Sequence, residues 1–393
     1  MKRCKKCLYP ETTKPYIVFD DEGICGGCIV SEEKDNIDWD ERAKNLKELV
    51  APYRSTNNSY DCIIPVSGGK DSTFQVHYVV NVLKLRPLLV TFNHLDNSQV
   101  GIRNLENMVV KFGLDHIRFT PSPDVVKKTS RHAFKIMGDP FWHEHAGIYT
   151  YPVQVAVEKK IPLIIWGEYG YMDLMGMYSF NDFIEMSSKN REEHGMRGYS
   201  PEEFIEGNEE GLKLVDIQWA IYPKDDEIDN INIRGIYLGN YINWNPIKQT
   251  ELMIDLYGFE TDIKERTFNT YENVECYFND CVHDYKKFFK FGYGRATDHA
   301  SQLIRLGYIT REEGLELVDH YDQLCEGHKL FEYLDWIGIS REDWTKKMME
   351  ERDERAEFSE PYPLLHKIEH LEPKSYKFKE SKSPSVMDRR HFL

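Results

Sequence analysis

The amino-acid sequence predicts an α/β fold, in which helices cover both faces of a parallel sheet. Short apolar runs alternate with helical segments from residue 60 onward, as in βαβ units, because parallel strands need a long crossover connection. The first apolar run ends at a glycine pair that opens a helix. A cysteine-rich start and helical periodicity after residue 245 add a small module and a helical region to this sheet.

Four apolar runs supply the predicted strands. Each is bounded by polar or glycine-containing residues, and apolar residues recur with helical spacing in the intervals between them. The predicted strands are residues 61–66, 87–92, 116–120 and 161–166, and the helices between them are 73–85, 100–112 and 151–160. Later helices are predicted at 250–256, 298–306, 310–324 and 341–351.

Charge and hydropathy narrow the possible partners and the compartment. The formal net charge of -16 opposes diffuse binding to nucleic acid unless basic residues gather on one face. No stretch approaches the roughly 20 apolar residues of a membrane span. The basic N-terminus is not followed by the apolar part of a secretory signal. We therefore expect a cytoplasmic protein that binds no membrane, with nucleic acid a disfavoured partner.

Four cysteines near the N-terminus are spaced as metal ligands. Cys4-x-x-Cys7 and Cys25-x-x-Cys28 are separated by seventeen residues, which fits a four-thiolate zinc site. Four thiolates fill the tetrahedron around Zn²⁺, so the predicted role is structural. Buried free cysteines and an iron–sulfur cluster are the alternatives.

Residues 67–72, Ser-Gly-Gly-Lys-Asp-Ser, lie between the first predicted strand and its helix, and we call them the phosphate loop. Gly68 and Gly69 let the backbone approach a bulky anion, and amides at the helix N-terminus favour negative charge. Hydroxyls of Ser67 and Ser72 can donate hydrogen bonds to the anion. Lys70 adds positive charge, and Asp71 is placed to hold Mg²⁺. A plain strand-to-helix turn is the alternative.

Other strand ends in a parallel sheet should face the same ligand. Ligands bind at the carboxyl ends of such strands, which here points to Asn93 after the second strand and to Gly167 and Glu168 after the fourth. Asn93 is predicted to frame adenine, and Glu168 to meet the metal or the substrate. Ordinary loop residues are the alternative.

A second glycine turn carries cations and precedes a predicted helix. Residues 290–301, which we call the glycine-arginine segment, read Lys-Phe-Gly-Tyr-Gly-Arg-Ala-Thr-Asp-His-Ala-Ser. Lys290 and Arg295 beside Gly292 and Gly294 suit a second anion-binding site. A glycine turn flanked by surface charges is the alternative.

The phosphate loop resembles that of the PP-loop ATP pyrophosphatases, which adenylate a carbonyl oxygen and release pyrophosphate. Together with the four cysteines and the glycine-arginine segment, it is similar to the N-acetyl sugar amidotransferase family of acetamidino-sugar biosynthesis, over residues 1 to about 310. The resemblance implies an adenine-nucleotide alpha-hydrolase-like fold, ATP and Mg²⁺ as cofactors, and conversion of an acetamido group to an amidine by ammonia. It also implies a nucleotide-linked N-acetyl sugar substrate from bacterial O-antigen or flagellar nonulosonic acid biosynthesis.

No cysteine follows Met1 directly, and the Gly-x-Cys-x-Gly string at residues 23–27 contains Cys25, which is one of the four predicted metal ligands. We therefore expect no glutaminase activity in this chain. The family resemblance implies a separate glutaminase, with a partner resembling the cyclase of imidazole glycerol phosphate synthase as the ammonia conduit. A tRNA sulfurtransferase is the alternative function, because some of these enzymes join a cysteine zinc module to the same loop. A non-catalytic nucleotide-binding subunit is the third possibility.

These motifs divide the chain into six predicted segments. They are a zinc-binding module (1–33), a connector helix (34–58), the ATP-binding core (59–170), an insertion that shapes a substrate pocket (171–244), a helical region completing the active site (245–351) and an extended tail (352–393).

Three smaller features each have a functional alternative. For Cys276 and Cys281, helical packing or an ordinary loop is preferred over a redox or ligand pair. For His143-Glu144-His145, a structural or substrate-lining role is preferred over a metal site. For the aromatic residues 169–180, core packing is preferred over stacking on a sugar face.

Overall fold

The computed structural model describes residues 1–325 and 327–356, apart from the side chain of residue 280. These residues form two compact units. The sheet unit comprises residues 39–168 and 184–260, and the helical unit comprises 1–38, 169–183 and the described residues from 261 onward. The units combine separated parts of the chain, whereas the six predicted segments are continuous, and their boundaries stay predictions. Most of the predicted tail lies outside the described residues.

The strands are β1 (Cys62–Pro65), β2 (Pro87–Phe92), β3 (His116–Phe119), β4 (Leu163–Trp166) and β5 (Arg234–Tyr237). The helices are α1 (Gly26–Glu33), α2 (Trp39–Val50), α3 (Lys70–His77), α4 (Gln99–Phe112), α5 (Pro123–Met137), α6 (Trp142–Lys159), α7 (Gly170–Asp173), α8 (Ser188–Asn190), α9 (Pro201–Ile205), α10 (Asp225–Ile231), α11 (Pro246–Tyr257), α12 (Asn279–Phe291), α13 (Arg295–Arg305), α14 (Arg311–Tyr321), α15 (Gly327–Ile337) and α16 (Arg341–Glu350).

The strands form one parallel sheet in the order β3-β2-β1-β4-β5. The central strands are buried, as expected of a sheet covered on both faces, and every residue of β2 and β4 is buried. The chain runs outward from β1 through β2 to β3, then returns to β4 on the other side of β1. This reversal leaves a crevice between the carboxyl ends of β1 and β4, where open α/β sheets bind their ligands.

Helices cover both faces of the sheet. Right-handed crossovers place α3 and α4 on one face, and the return connection through α5 and α6 on the other. Helix α3 packs against β1 and α11. Its Phe74 meets Trp244, two residues before α11, edge to face. Helix α6 packs across β1, β2 and β4, and its Trp142 stacks on Phe204. The predicted fold class is confirmed.

The fifth strand was not predicted. It lies within the predicted insertion and pairs with β4 from Leu163↔Arg234 to Trp166↔Tyr237. Its four residues, Arg-Gly-Ile-Tyr, contain too few apolar positions to form a recognisable run. Pairing with a buried neighbour makes this segment a strand, which is a tertiary effect.

The helical unit assembles α12 to α16 with the N-terminal cysteine module. Helix α13 packs against α14, and α12 packs against α15 and α16. A helical C-terminal region was predicted, although α12 and α15 themselves were not. Among the described residues, no helix has the length and apolar composition needed to cross a membrane.

Candidate functional site

The phosphate loop occupies the crevice end of the sheet. Strand β1 ends at Pro65 and α3 begins at Lys70, so residues 67–69 make the turn at the carboxyl edge. Gly69 is the N-cap of α3. The turn lies at the N-terminus of α3, as predicted, and a helix dipole favours negative charge at this end. Binding of an anion there stays a prediction.

The backbone conformation and the close packing at position 68 both require glycine. Gly68 has a φ of +91°, and a Cβ placed there would lie 2.5 Å from the Gly101 carbonyl oxygen on α4. Any side chain would be strained by the backbone conformation and would also clash with α4. The loop can approach α4 this closely only because residue 68 has no side chain.

The loop also holds its own shape through short-range hydrogen bonds. The Gly69 amide donates to Ser67 Oγ at 3.2 Å, and Ser72 Oγ donates to the Gly69 carbonyl at 3.0 Å. Thr73 Oγ1 donates to the same carbonyl at 2.9 Å. Lys70 is buried and forms an ion pair with Asp71, whose side chain is about a third exposed. These hydrogen bonds hold the loop in a defined shape, which would lower the entropic cost of binding an anion.

Two carboxylates lie at this edge of the sheet, and oxygen atoms are the ligands that Mg²⁺ prefers. Their binding of Mg²⁺ stays a prediction. Asp71 is in the first turn of α3 after β1, and Glu168 is partly exposed two residues after β4. Because β1 and β4 are neighbours in the sheet, both residues belong to the same edge. Gly167 accepts a hydrogen bond from the Gly239 amide at 3.2 Å, which ties the end of β4 to the segment after β5.

Asn93 plays a part in shaping the loop after β2. Its side-chain amide donates to Thr120 Oγ1 at 2.9 Å, and its side-chain oxygen accepts from the Leu95 amide at 3.1 Å. The residue is buried. These contacts support the loop, and the predicted contact of Asn93 with adenine stays a prediction.

The four cysteines of the N-terminal module converge. Their sulfur atoms all lie within 4.8 Å of one another and all four residues are buried. The Sγ atoms of Cys7 and Cys25 are 3.5 Å apart, and those of Cys4 and Cys28 are 3.9 Å apart. Zinc–sulfur bonds of about 2.3 Å in a tetrahedron place the sulfurs about 3.8 Å apart. The donor set and its spacing therefore fit a structural Zn²⁺.

Arginines support this four-cysteine cluster. Arg305 on α13 donates to Cys25 Sγ at 3.4 Å and to Cys7 Sγ at 3.7 Å. A Cβ at Gly27 would lie 2.4 Å from the Arg305 guanidinium, so the close approach of α1 requires glycine. Hydrogen bonds from Cys25 and Cys28 lower the pKa of the Cys7 thiol, and the charge of Arg305 lowers it further against the effect of burial. Sequence reasoning missed Arg305, because nothing local marks it.

The glycine-arginine segment belongs to the helical unit, and its cations meet carboxylates there. Arg295 makes a bidentate ion pair with Asp284, with Nε–Oδ2 at 2.9 Å and Nη2–Oδ1 at 2.7 Å. Lys290 is buried, with Nζ 3.3 Å from Glu351. Burial opposes ionisation of Asp284, but Arg295 and His283 hold the pKa of its carboxyl below the usual range.

An internal carboxylate also occupies the start of α13. Asp322 accepts from the Thr297 amide at 3.1 Å and from Thr297 Oγ1 at 2.5 Å. A Cβ at Gly294 would lie 2.7 Å from Asp322 Oδ1, while Gly292 ends α12 with a φ of +73°. Both glycines therefore serve the local fold. A role of Lys290 and Arg295 in binding a ligand anion stays a prediction.

A second buried group of metal-ligand type lies in the sheet unit. Donor atoms of His94, Asp96 and Glu144 are all within 4.8 Å of one another. Burial is the largest cause that lowers the pKa of His94, to about 3, so its ring is neutral at neutral pH. We call these residues the His94 cluster. Sequence reasoning singled out Glu144 only within the triplet 143–145, in which His145 instead contacts Arg197.

The remaining cysteines and aromatic residues behave as core. Cys62 is fully buried in β1, and residues 169–180 contribute buried Tyr169, Met172 and Phe180. Cys281 lies beside Cys325, with the two Sγ atoms 3.3 Å apart. That contact was not predicted, because residues so far apart in sequence carry no local signal.

Comparison with known proteins gives one family match, to residues 265–372, for the model described as LPS biosynthesis protein WbpG-like, C-terminal domain. An uncharacterized protein of Methanocaldococcus jannaschii is 26% identical over 113 residues, which cover 29% of this chain and 40% of that protein. NMN synthetase from Francisella tularensis covers 56% of this chain and 87% of its own, with 12% identity and a TM-score of 0.28. That TM-score supports no further conclusion. The helical unit thus contains a region similar to a lipopolysaccharide biosynthesis domain.

Proposed function

We propose that this chain is a cytoplasmic, ATP-dependent, AMP-forming amidotransferase that converts the acetamido group of an N-acetyl sugar to an acetamidino group. The observation that carries the proposal is the phosphate loop, with Gly68 at a φ of +91° in the crevice between β1 and β4. The match of residues 265–372 to a lipopolysaccharide biosynthesis domain supports a sugar of bacterial surface polysaccharides.

The proposed reaction balances without any oxidant or reductant. The acetamido oxygen attacks the α-phosphorus of ATP, and the bond to the β-phosphate oxygen breaks to release pyrophosphate. Ammonia then adds to the activated carbon and loses a proton, and AMP leaves with the C–O electron pair. The sum is amide, ATP and ammonia giving amidine, AMP and pyrophosphate.

Residues of the sheet edge supply the proposed contacts. The α3 dipole stabilises the charge that moves onto pyrophosphate. The amides of Ser67 and Gly69 donate to hydroxyls of the loop, so their use by a phosphate requires exchanging these bonds for the ligand. Lys70 adds positive charge beside the leaving group. Asp71 and Glu168 would hold Mg²⁺, which when bound neutralises phosphate charge.

Lys290 and Arg295 are the proposed contacts to a second anion. Their present partners are Glu351 and Asp284, so binding an anion there requires exchanging one of these carboxylates for the ligand. The four-cysteine cluster is proposed to hold structural Zn²⁺.

The direct test incubates the purified chain with ATP, Mg²⁺, ammonium and a panel of nucleotide-linked N-acetyl sugars. We expect AMP to form in step with a sugar whose mass shows oxygen replaced by NH. The Asp71→Asn variant is the matched control and should lose AMP formation while keeping its fold. AMP formation with tRNA and with no sugar would instead establish the sulfurtransferase, and binding without AMP formation would establish a non-catalytic subunit.

We also propose that a separate glutaminase, joined by a subunit resembling the cyclase of imidazole glycerol phosphate synthase, supplies the ammonia. The chain alone should use ammonium at alkaline pH and show no comparable turnover with glutamine. Efficient amidation from glutamine by the purified chain would refute this dependence.

A further inference from the structure

We propose that His94, Asp96 and Glu144 form a second metal site, distinct from the four-cysteine cluster, that takes a divalent transition-metal ion such as Mn²⁺ or Zn²⁺. The proposal rests on donor geometry and burial, and it is independent of the amidotransferase activity proposed above.

The three side chains come from two elements that are packed together. His94 and Asp96 lie in the loop that follows β2, and Glu144 is in the first turn of α6, which packs against β2. The return connection brings the N-terminus of α6 to the carboxyl edge of the sheet. Strand β2 and helix α6 therefore fix the distance between the imidazole and the carboxylates.

The distances suit one ion. His94 Nδ1 and Glu144 Oε1 are 3.6 Å apart, and all three donors lie within 4.8 Å of one another. Metal–ligand bonds of about 2.0–2.2 Å place neighbouring donors about 3.0–3.6 Å apart. The Asp96 amide donates a hydrogen bond to His94 Nδ1 at 3.2 Å, and an ion bound at this nitrogen would replace that bond.

Burial makes a cation favourable here. His94, Asp96 and Glu144 are 8%, 4% and 5% exposed, so two carboxylates approach each other largely out of water. Carboxylates that are buried together repel, and a dication that binds both reverses this cost. Water screens the repulsion between exposed carboxylates, so an acidic cluster on the surface needs no bound cation. The buried His94 cluster differs from such a surface cluster in this respect.

The donor types point to the class of ion. Imidazole suits Zn²⁺ and other transition metals, whereas Mg²⁺ and Ca²⁺ prefer sets made of oxygen alone. Three protein ligands leave at least one position open for water or substrate, unlike the closed four-cysteine cluster. The buried His143 ring lies beside the backbone of His94, and burial lowers the pKa of this ring to about 4.

The test titrates the full-length protein with Mn²⁺ in the absence of nucleotide and follows free Mn²⁺ by electron paramagnetic resonance. Mn²⁺ prefers oxygen and nitrogen over thiolates, so it leaves the four-cysteine cluster unchanged. We expect one bound equivalent in the wild type, and at least about tenfold weaker binding in His94→Gln and in Glu144→Gln.

His145→Gln is the matched control, because it makes the same change as His94→Gln and lies on α6 next to Glu144. This variant should bind Mn²⁺ as tightly as the wild type does. Zinc content and circular dichroism verify that each variant folds. If His94→Gln fails to fold, the Mn²⁺ affinity of Glu144→Gln alone tests the proposal. No Mn²⁺ uptake by the wild type, equal uptake by the two ligand variants, or loss of uptake only in Asp71→Asn would each overturn the proposal.

Discussion

The phosphate loop and the glycine-arginine segment contain the same ingredients, namely a glycine turn, cations and the start of a helix. In the sheet unit, the polar groups of the phosphate loop form hydrogen bonds mostly with one another, as Ser67 and Ser72 do. In the helical unit the cations are bound by carboxylates of other helices, since Arg295 meets Asp284 on α12. Similar sequence patterns can thus form a loop that bonds mostly within itself in one place and an internal ion-pair network in another.

The network has a second consequence, because the same helix supports the four-cysteine cluster. Helix α13 begins with Arg295 and ends with Arg305, which donates to Cys7 and Cys25. Asp298 between them accepts from the Tyr9 hydroxyl at 2.9 Å. The most distinctive motif of the sequence therefore has a supporting role in the helical unit, whatever ligand it also binds.

Removing one cysteine ligand should have the largest effect on the helical unit. Cys25→Ser leaves three thiolates, and we expect loss of the bound zinc and of more than about 4 kcal/mol of unfolding free energy. Zinc content and thermal melting measure both quantities. Cys276→Ser, outside the cluster, is the control and should retain zinc. Equal zinc in the two variants would contradict the metal assignment.

A methyl group at position 68 tests the phosphate loop. Gly68→Ala combines a left-handed φ with a Cβ 2.5 Å from the Gly101 carbonyl, so the loop must shift. We expect AMP formation to fall by about 100-fold. Gly113→Ala is the matched control, because it also has positive φ but would meet nothing within 4 Å. That variant should lose about 1 kcal/mol of stability and keep its activity.

Breaking the ion pair of Arg295 and Asp284 tests whether Arg295 stabilises the helical unit or binds a ligand. Asp284 is 1% exposed, but Arg295 is 22% exposed. Arg295→Gln should therefore lower the free energy of unfolding by about 2 kcal/mol, whereas breaking a fully buried pair costs about 3–5 kcal/mol. Adding Asp284→Asn should recover part of this loss in urea denaturation. An unchanged free energy of unfolding with lost activity would favour ligand binding instead.

The same pair predicts a pH dependence. Because the folded-state pKa of Asp284 is lowered, its stabilising contribution is complete above its ordinary pKa of about 3.9 and is lost as pH falls further. The stability difference between wild type and Arg295→Gln should stay constant from about pH 5 to 8 and shrink below about pH 4. Denaturation curves at several pH values measure it. A difference that disappears near pH 7 would rule out this assignment.

The smallest effect should come from the hydroxyl that joins the cysteine module to α13. Tyr9→Phe removes the buried hydrogen bond to Asp298, which should cost about 1 kcal/mol. Tyr60→Phe removes an exposed hydrogen bond to Asp115 and serves as the control, with a cost near zero. Equal costs in urea denaturation would show that Tyr9 does not help to hold the module.

Local patterns in the sequence were sufficient for the parallel sheet, the phosphate loop and the four cysteines. The physical causes of apolar runs and paired glycines act within about ten residues. Each Cys-x-x-Cys pair is equally local, and seventeen residues between the two pairs is a spacing typical of zinc sites. Strand β2 was predicted with its observed bounds, whereas β5 was missed because its four residues become a strand only beside β4. Burial and pairing partners decide such segments.

Tertiary structure alone decided which charged groups meet. The sequence determined that Arg295 follows a glycine turn, but the partner Asp284 comes from the packing of α12 against the start of α13. Likewise Glu144 reaches His94 only because α6 returns across the sheet to the end of β2. Electrostatic contacts depend on distance in space and on exclusion of water, and neither quantity is encoded by spacing along the chain.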